Sequence, residues 1–68
     1  MTGILIQNGD RPDIAFDNGT LYGGLHCGEC FRLYDGEWLS ARLEYDACWI
    51  LLIDGQAVPV PYGSTVKL

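Results

Sequence analysis

Residues 25 to 31 read LHCGECF and hold the chain's single histidine and two of its three cysteines. Thiolates at CxxC spacing can supply half of a tetrahedral zinc site, and Cys48 with His26 would complete it. Strong zinc signatures carry a second such pair, which this chain lacks. His26 also neighbours Cys27, and adjacent residues of an extended chain point to opposite sides. Zinc on Cys27, Cys30, Cys48 and His26 is therefore the alternative, and the primary expectation is no metal and no cofactor, with free thiols at the entry to a strand. Dithiol redox chemistry needs a helix N-terminus to stabilise the thiolate. Here Gly28-Glu29 leads into a strand-like run, and the Glu29 carboxylate works against the thiolate. His26 has no nucleophile and orienting group around it, and the glycines of YGGLHCGEC do not open a helix that could cradle phosphate. No enzyme is expected.

A second candidate is a surface. In the run from Trp38 to Tyr45, apolar Leu39, Ala41, Leu43 and Tyr45 alternate with Ser40, Arg42 and Glu44. That period of two sends Trp38, Arg42 and Glu44 to the face away from the core. Trp and Arg are the residues most enriched at interface hot spots, which makes these three the expected partner-contact face. The plainer alternative is a Trp38–Arg42 cation–π pair with Arg42 bound to Glu44 or Asp46. An aromatic cage from Trp38, Tyr45 and Tyr62 is less favoured than simple aromatic packing. Asp10, Asp13, Asp17, Asp35, Glu37, Asp46 and Asp54 read as turn residues, where Asp is common for conformational reasons. Asp35, Glu37 and Asp46 are expected to flank the contact face with negative charge.

The elements that position these residues are short. Turn signals recur at Asn8-Gly9-Asp10, Asp17-Asn18-Gly19, Gly23-Gly24, Asp35-Gly36, Asp54-Gly55 and Tyr62-Gly63-Ser64. Between them lie β-branched and aromatic runs: Ile4 to Ile6, Ile14 to Phe16, Thr20 to Tyr22, Cys30 to Tyr34, Ala57 to Val60 and Thr65 to Leu68. Trp49 to Ile53 is apolar at both parities and is expected to be central and covered on both faces, paired in a hairpin with the strand before it. Pro59 and Pro61 mark an edge strand, a bulge or a crossover. Short strands in so small a chain are expected to curl on themselves to protect their edges.

With 68 residues there is room for one domain, and 49% hydrophobic content suffices for a core. A net charge of −5 disfavours nucleic acid as a direct ligand and suits a protein partner with a basic surface. Arg11, Arg32, Arg42 and Lys67 are scattered along the chain. The N-terminus lacks the features of a signal peptide and no apolar run approaches a membrane span, so a cytoplasmic location with no membrane contact is expected.

From Gly28 onward the order of elements resembles that of SH3-like and Tudor-like barrels: Asp35-Gly36, Trp38 to Leu43, Trp49 to Ile53, Asp54-Gly55, Val58 to Pro61 and Val66-Lys67-Leu68. The same stretch is similar to a small family of uncharacterised domains of Gram-positive bacteria and their phages and plasmids. The similarity rests on Leu25-His26-Cys27-Gly28-Glu29, Gly36-Glu37-Trp38 with Arg42 and Glu44, Trp49, and Gly63 with Val66-Lys67-Leu68. The resemblance implies an all-β, small SH3-like barrel of antiparallel strands (residues 25–68) preceded by an N-terminal hairpin (residues 1–24). It brings no assigned reaction. The expected function is a non-enzymatic protein-binding module of a phage or mobile element, with an acidic inhibitor of a host nucleic-acid-handling enzyme as its specific form. The alternatives are a zinc-stabilised domain and a homo-oligomer, a homodimer in its simplest form, that pairs edge strands such as Ala57 to Val60.

Overall fold

The computed structural model describes all 68 residues, Met1–Leu68. Its strands are β1 (Thr2–Asn8), β2 (Arg11–Phe16), β3 (Cys30–Tyr34), β4 (Trp38–Tyr45), β5 (Trp49–Ile53), β6 (Gln56–Pro59) and β7 (Thr65–Lys67). No helix is present, so none is long and apolar enough to cross a membrane. The strands form one seven-stranded sheet in the order β2-β1-β7-β3-β4-β5-β6. Every neighbouring pair is antiparallel. The all-β expectation is borne out, and the sheet is curled and barrel-like without closing.

Register follows from alternation. Leu5 faces Ile14 across β1 and β2, Phe31 faces Ala41 and Leu33 faces Leu39 across β3 and β4, and Leu43 faces Leu51 across β4 and β5. One parity of each strand therefore points to a single interior. Leu5, Ile14, Leu25, Phe31, Leu33, Ala41, Leu43, Leu51 and Val66 are buried there, with Phe16, Trp49, Ile53, Val58 and Val60 packed around them. Each large aliphatic side chain so buried is worth about 1.5–3 kcal/mol. A one-residue slip of any strand would turn its whole set outward.

Turn chemistry fixes the hairpins. Asp54 and Gly55 both take positive φ, 53° and 76°, which is the type I′ arrangement that matches strand twist. Gly3 is required for another reason. A Cβ there would lie 2.6 Å from the Ala15 carbonyl oxygen and 2.6 Å from the Ile14 side chain, so β1 approaches β2 too closely for any side chain.

Two edges remain, at β2 and β6. Residues 20 to 25 run along β2 without forming a regular strand. The Phe16 N–H donates to the Thr20 carbonyl, the Tyr22 N–H to the Ile14 carbonyl and the Leu25 N–H to the Pro12 carbonyl, each at 2.9 Å. Closure toward β5 comes from a side chain: the Trp49 indole N–H donates to the Asp10 carbonyl at 2.7 Å. The Arg11 guanidinium lies 5.3 Å from the Trp49 ring centre and donates to the Leu25 carbonyl at 2.8 Å.

The structure corrects several local expectations. Thr20 to Tyr22 forms only an isolated bridge between Leu21 and Ala15, because Gly23 and Gly24 adopt φ of 109° and 100° and turn the chain out of a ladder. Tyr45 shares the inward parity of β4 but sits beyond the interior and is exposed. It packs edge-on against Trp49, with ring centres 5.0 Å apart. β5 lies between β4 and the edge strand β6 and is not central in the sheet, and only Leu51 of it is buried. Its other parity, Ile50 and Leu52, lies on an outer face that nothing covers.

Gly3→Ala is expected to lower stability by about 1–3 kcal/mol, as overpacking does, when unfolding is measured in urea. Ala47 holds φ of 64° in the β4–β5 turn. Ala47→Gly relieves that strain and is expected to raise the urea midpoint by the equivalent of about 0.5–1 kcal/mol.

Candidate functional site

The outer sheet face carries the residues singled out as a contact surface. Tyr34 lies opposite Trp38, Arg32 opposite both Ser40 and Lys67, and Cys30 opposite Arg42. Since opposed residues share a face, Trp38, Ser40, Arg42 and Glu44 of β4 stand beside Cys30, Arg32 and Tyr34 of β3 and Lys67 of β7. The Tyr34 and Trp38 rings meet edge to face, 5.2 Å apart at 67°. The Lys67 ammonium lies 4.2 Å from the Trp38 ring centre. The cation on Trp38 is thus Lys67, where sequence spacing suggested Arg42. Arg42 is register-opposed to Cys30 and Leu52, and its guanidinium binds the Glu44 carboxylate at 2.7 Å. Beside Trp38 the face dips into a shallow groove of about 520 Å³ lined by Cys30, Phe31, Arg32, Ser40, Lys67 and Leu68.

The acidic residues do not gather around this face. Asp35 and Glu37 occupy the β3–β4 turn and Asp46 the β4–β5 turn, all exposed. These turns lie at opposite ends of the eight-residue β4, roughly 25 Å apart. The same separation divides the aromatic residues into a Trp38–Tyr34 pair and a Tyr45–Trp49 pair. Trp38 and Tyr45 therefore do not share a cage.

LHCGECF forms a turn that locks onto β4. The Gly28 N–H donates to the Leu43 carbonyl at 2.6 Å, and the Leu43 N–H donates to the Glu29 carbonyl at 2.9 Å. Leu25 and Phe31 are buried on either side of it, while Cys27, Cys30 and Cys48 are free and exposed. Cys27 donates to Glu44 Oε1 at 3.2 Å, and Cys48 lies across β4 in the β4–β5 turn. No group of three or more His, Cys, Asp or Glu converges to hold a metal ion. His26 turns toward Glu29 instead, with Nδ1 3.3 Å from Oε1. The Glu29 carboxylate also accepts from the His26 backbone N–H at 2.8 Å and from the Tyr22 hydroxyl. Desolvation pushes the Glu29 carboxyl up, but these hydrogen bonds outweigh it and leave it below the ordinary range.

Asp13 was read as a turn carboxylate, and the structure buries it completely within β2. Oδ1 accepts from the N–H groups of Ile14, Gly23 and Gly24 at 2.8, 3.0 and 2.8 Å. Oδ2 accepts from the Asn8 amide at 3.0 Å. Burial alone would raise the Asp13 carboxyl, and the donors overcome it, so its value falls below 3.8. An Asp inside a strand-like run, against β-propensity, was the available sequence signal for this role.

Fold and surface together define an all-β domain, a single curled antiparallel sheet with a filled interior and an open, basic-aromatic outer face. The chain belongs to the family described as Domain of unknown function (DUF5348), which matches residues 3–64. It is similar over 100% of both chains, at 37% identity and a TM-score of 0.86, to a protein from Ruminococcus gnavus whose crystal structure is a structural-genomics target. No curated protein matches the chain.

Because Asp13 has a depressed folded-state value, its stabilisation is complete above about pH 3.8 and is lost as pH falls through that lower value. Asp13→Asn keeps one oxygen for the backbone donors and abolishes this share of acid sensitivity. Denaturant unfolding across pH 2–6, about the range in which carboxylates titrate, should show a flatter acid limb in the variant. Asp13→Ala orphans the backbone donors and is expected to cost about 3–5 kcal/mol.

Proposed function

We propose that the protein is a non-enzymatic protein-binding module whose contact surface is the outer face of β7, β3 and β4. One observation carries this reading: Trp38, half-buried, is braced by Tyr34 and Lys67 at the β3–β4 turn end of a sheet face that no other element covers. A large aromatic held in one orientation loses little freedom on binding, which is why such residues anchor interfaces. Arg32 and Ser40 are exposed beside it, and Arg42 with Glu44 extends the surface toward the cysteine turn. The half-buried Ile50 and Leu52 of β5 continue it on the other side of β4. The turn carboxylates Asp35, Glu37 and Asp46 stand at its two ends and offer no single acidic patch. This favours the binding module over its acidic-inhibitor form.

Placing a photo-crosslinking amino acid at Ser40 tests the surface in the cells that express the protein. Crosslinks to one defined protein, lost in Trp38→Ala while circular dichroism and the urea midpoint stay within about 1 kcal/mol of the parent, are the expected result. Crosslinks that survive Trp38→Ala, or that form equally from Asp17 in the β2-following turn, would remove this face from the function. Crosslinks only to a second copy, with a dimer in sedimentation, would make the surface a homodimer interface.

A further inference from the structure

The outer face departs from the charge of the chain as a whole. Nine acidic and four basic residues give a net charge of −5, yet Arg32, Arg42 and Lys67 lie on the same face of adjacent strands. Arg42 is neutralised by Glu44. Arg32 and Lys67 are not: no carboxylate lies within ion-pair distance of either, and Arg42–Glu44 is the only Arg or Lys ion pair in the protein. Moreover, Arg32 and Lys67 are direct cross-strand partners, and like charges so placed repel one another. A chain rich in carboxylates thus sets two unpaired cations side by side, along the wall of a groove that also exposes the Leu68 side chain.

Resting on the protein-binding reading above, we infer that this groove receives an extended acidic segment of a protein partner. One or two of its carboxylates bridge Arg32 and Lys67, and an apolar side chain lies against the exposed Leu68. Arg32 supplies a planar fork suited to bidentate carboxylate binding, and Lys67 supplies a point charge held by the Trp38 ring. Bridging converts the cross-strand repulsion into two attractions, so the segment gains from an arrangement that is unfavourable without it. Charge complementarity favours a short acidic peptide over a nucleic acid. A long polyanion leaving the groove would pass the carboxylates of Asp35 and Glu37 beyond Trp38, whereas a segment of a few residues ends before them.

The test uses a fluorescein-labelled octapeptide alternating glutamate and leucine, the same peptide with glutamine for glutamate, and a labelled oligo-dT of equal length. Fluorescence anisotropy gives the affinities, and the Trp38 indole N–H resonance reports the site. The glutamate peptide is expected to bind and shift that resonance. The glutamine peptide should be weaker by about tenfold or more, and raising salt from 50 to 300 mM, across which the Debye length falls to about 6 Å, should weaken the glutamate peptide similarly. Arg32→Glu should abolish binding while raising the urea midpoint, since it turns the repelling pair into an attracting one. A residue serving only the fold would lower both. Equal binding of the glutamate and glutamine peptides, tighter binding of oligo-dT, or no binding by any probe would overturn the acidic-segment inference. Persisting Trp38-dependent crosslinks from Ser40 would leave the protein-binding reading standing in each of those cases, and their loss would remove both.

Discussion

A single buried carboxylate organises the segment between β2 and β3 that has no regular structure. β2 is an edge strand, and the chain returning along it contains Gly23 and Gly24 at positive φ, so their N–H groups cannot join a ladder. Buried and unpaired, each would cost about 1–3 kcal/mol. Asp13 accepts both, together with the N–H of Ile14. The ladder is replaced by an ion, and the ion is tolerable without solvent because every lone-pair direction that matters has a donor. From this anchor the next residue, Leu25, enters the core, its carbonyl is caught by Arg11, and the cysteine turn follows in fixed register with Leu43.

The same region decides how far the sheet curls. Arg11 and Asp10 sit at the β1–β2 turn and hold Trp49 of β5 through a hydrogen bond and a cation–π contact. Strands far apart in the sheet order are thereby drawn together without backbone pairing. Most of the inward parity is consumed by the core, and the space left among inward-facing side chains is a cavity of about 310 Å³ beside Leu33, Leu39, Ile53 and Val58 that carries few polar groups. Surface chemistry is left to the outward parity. That is where Trp38, Arg32 and Lys67 stand, placed by register, with Trp38 also held by Tyr34 and Lys67.

Much of the fold was legible because alternation over Cys30 to Tyr34 and Trp38 to Leu43 has only one reading in a chain broken by glycine turns. β3 and β5 coincide with the runs read from sequence, and Asp54-Gly55 forms the hairpin turn its composition requires. The segment from Thr20 to Tyr22 carried equally good β residues and failed to form a strand, since its neighbours Gly23 and Gly24 answer to Asp13. Local propensity cannot show a partner on another strand. For the same reason Asp13 looked like any turn aspartate, and Tyr45 looked inward-facing although the core ends one residue pair before it. In the candidate site, the outward parity of Trp38, Arg42 and Glu44 was legible and the cation on Trp38 was not. Lys67 reaches Trp38 through β3, which lies between β7 and β4 in the sheet.

The charge of the chain illustrates the difference between a total and a field. Net charge sets the sign of the field far from the molecule, and salt screens most of that field beyond a Debye length of about 8–10 Å at ordinary ionic strength. A partner touching the β7-β3-β4 face samples only what lies within that distance. The carboxylates are held mostly in turns, where Asp serves backbone conformation, and the sheet places those turns at the ends of the strands. Cations on strand interiors then collect in the middle of the face by register alone. An acidic protein can in this way present a locally basic surface without any cluster of basic residues in its sequence. The charge that a binding partner meets is set by the pairing of Arg32 with Lys67 and by the pairing of Arg42 with Glu44, which cancels the third cation and leaves the first two.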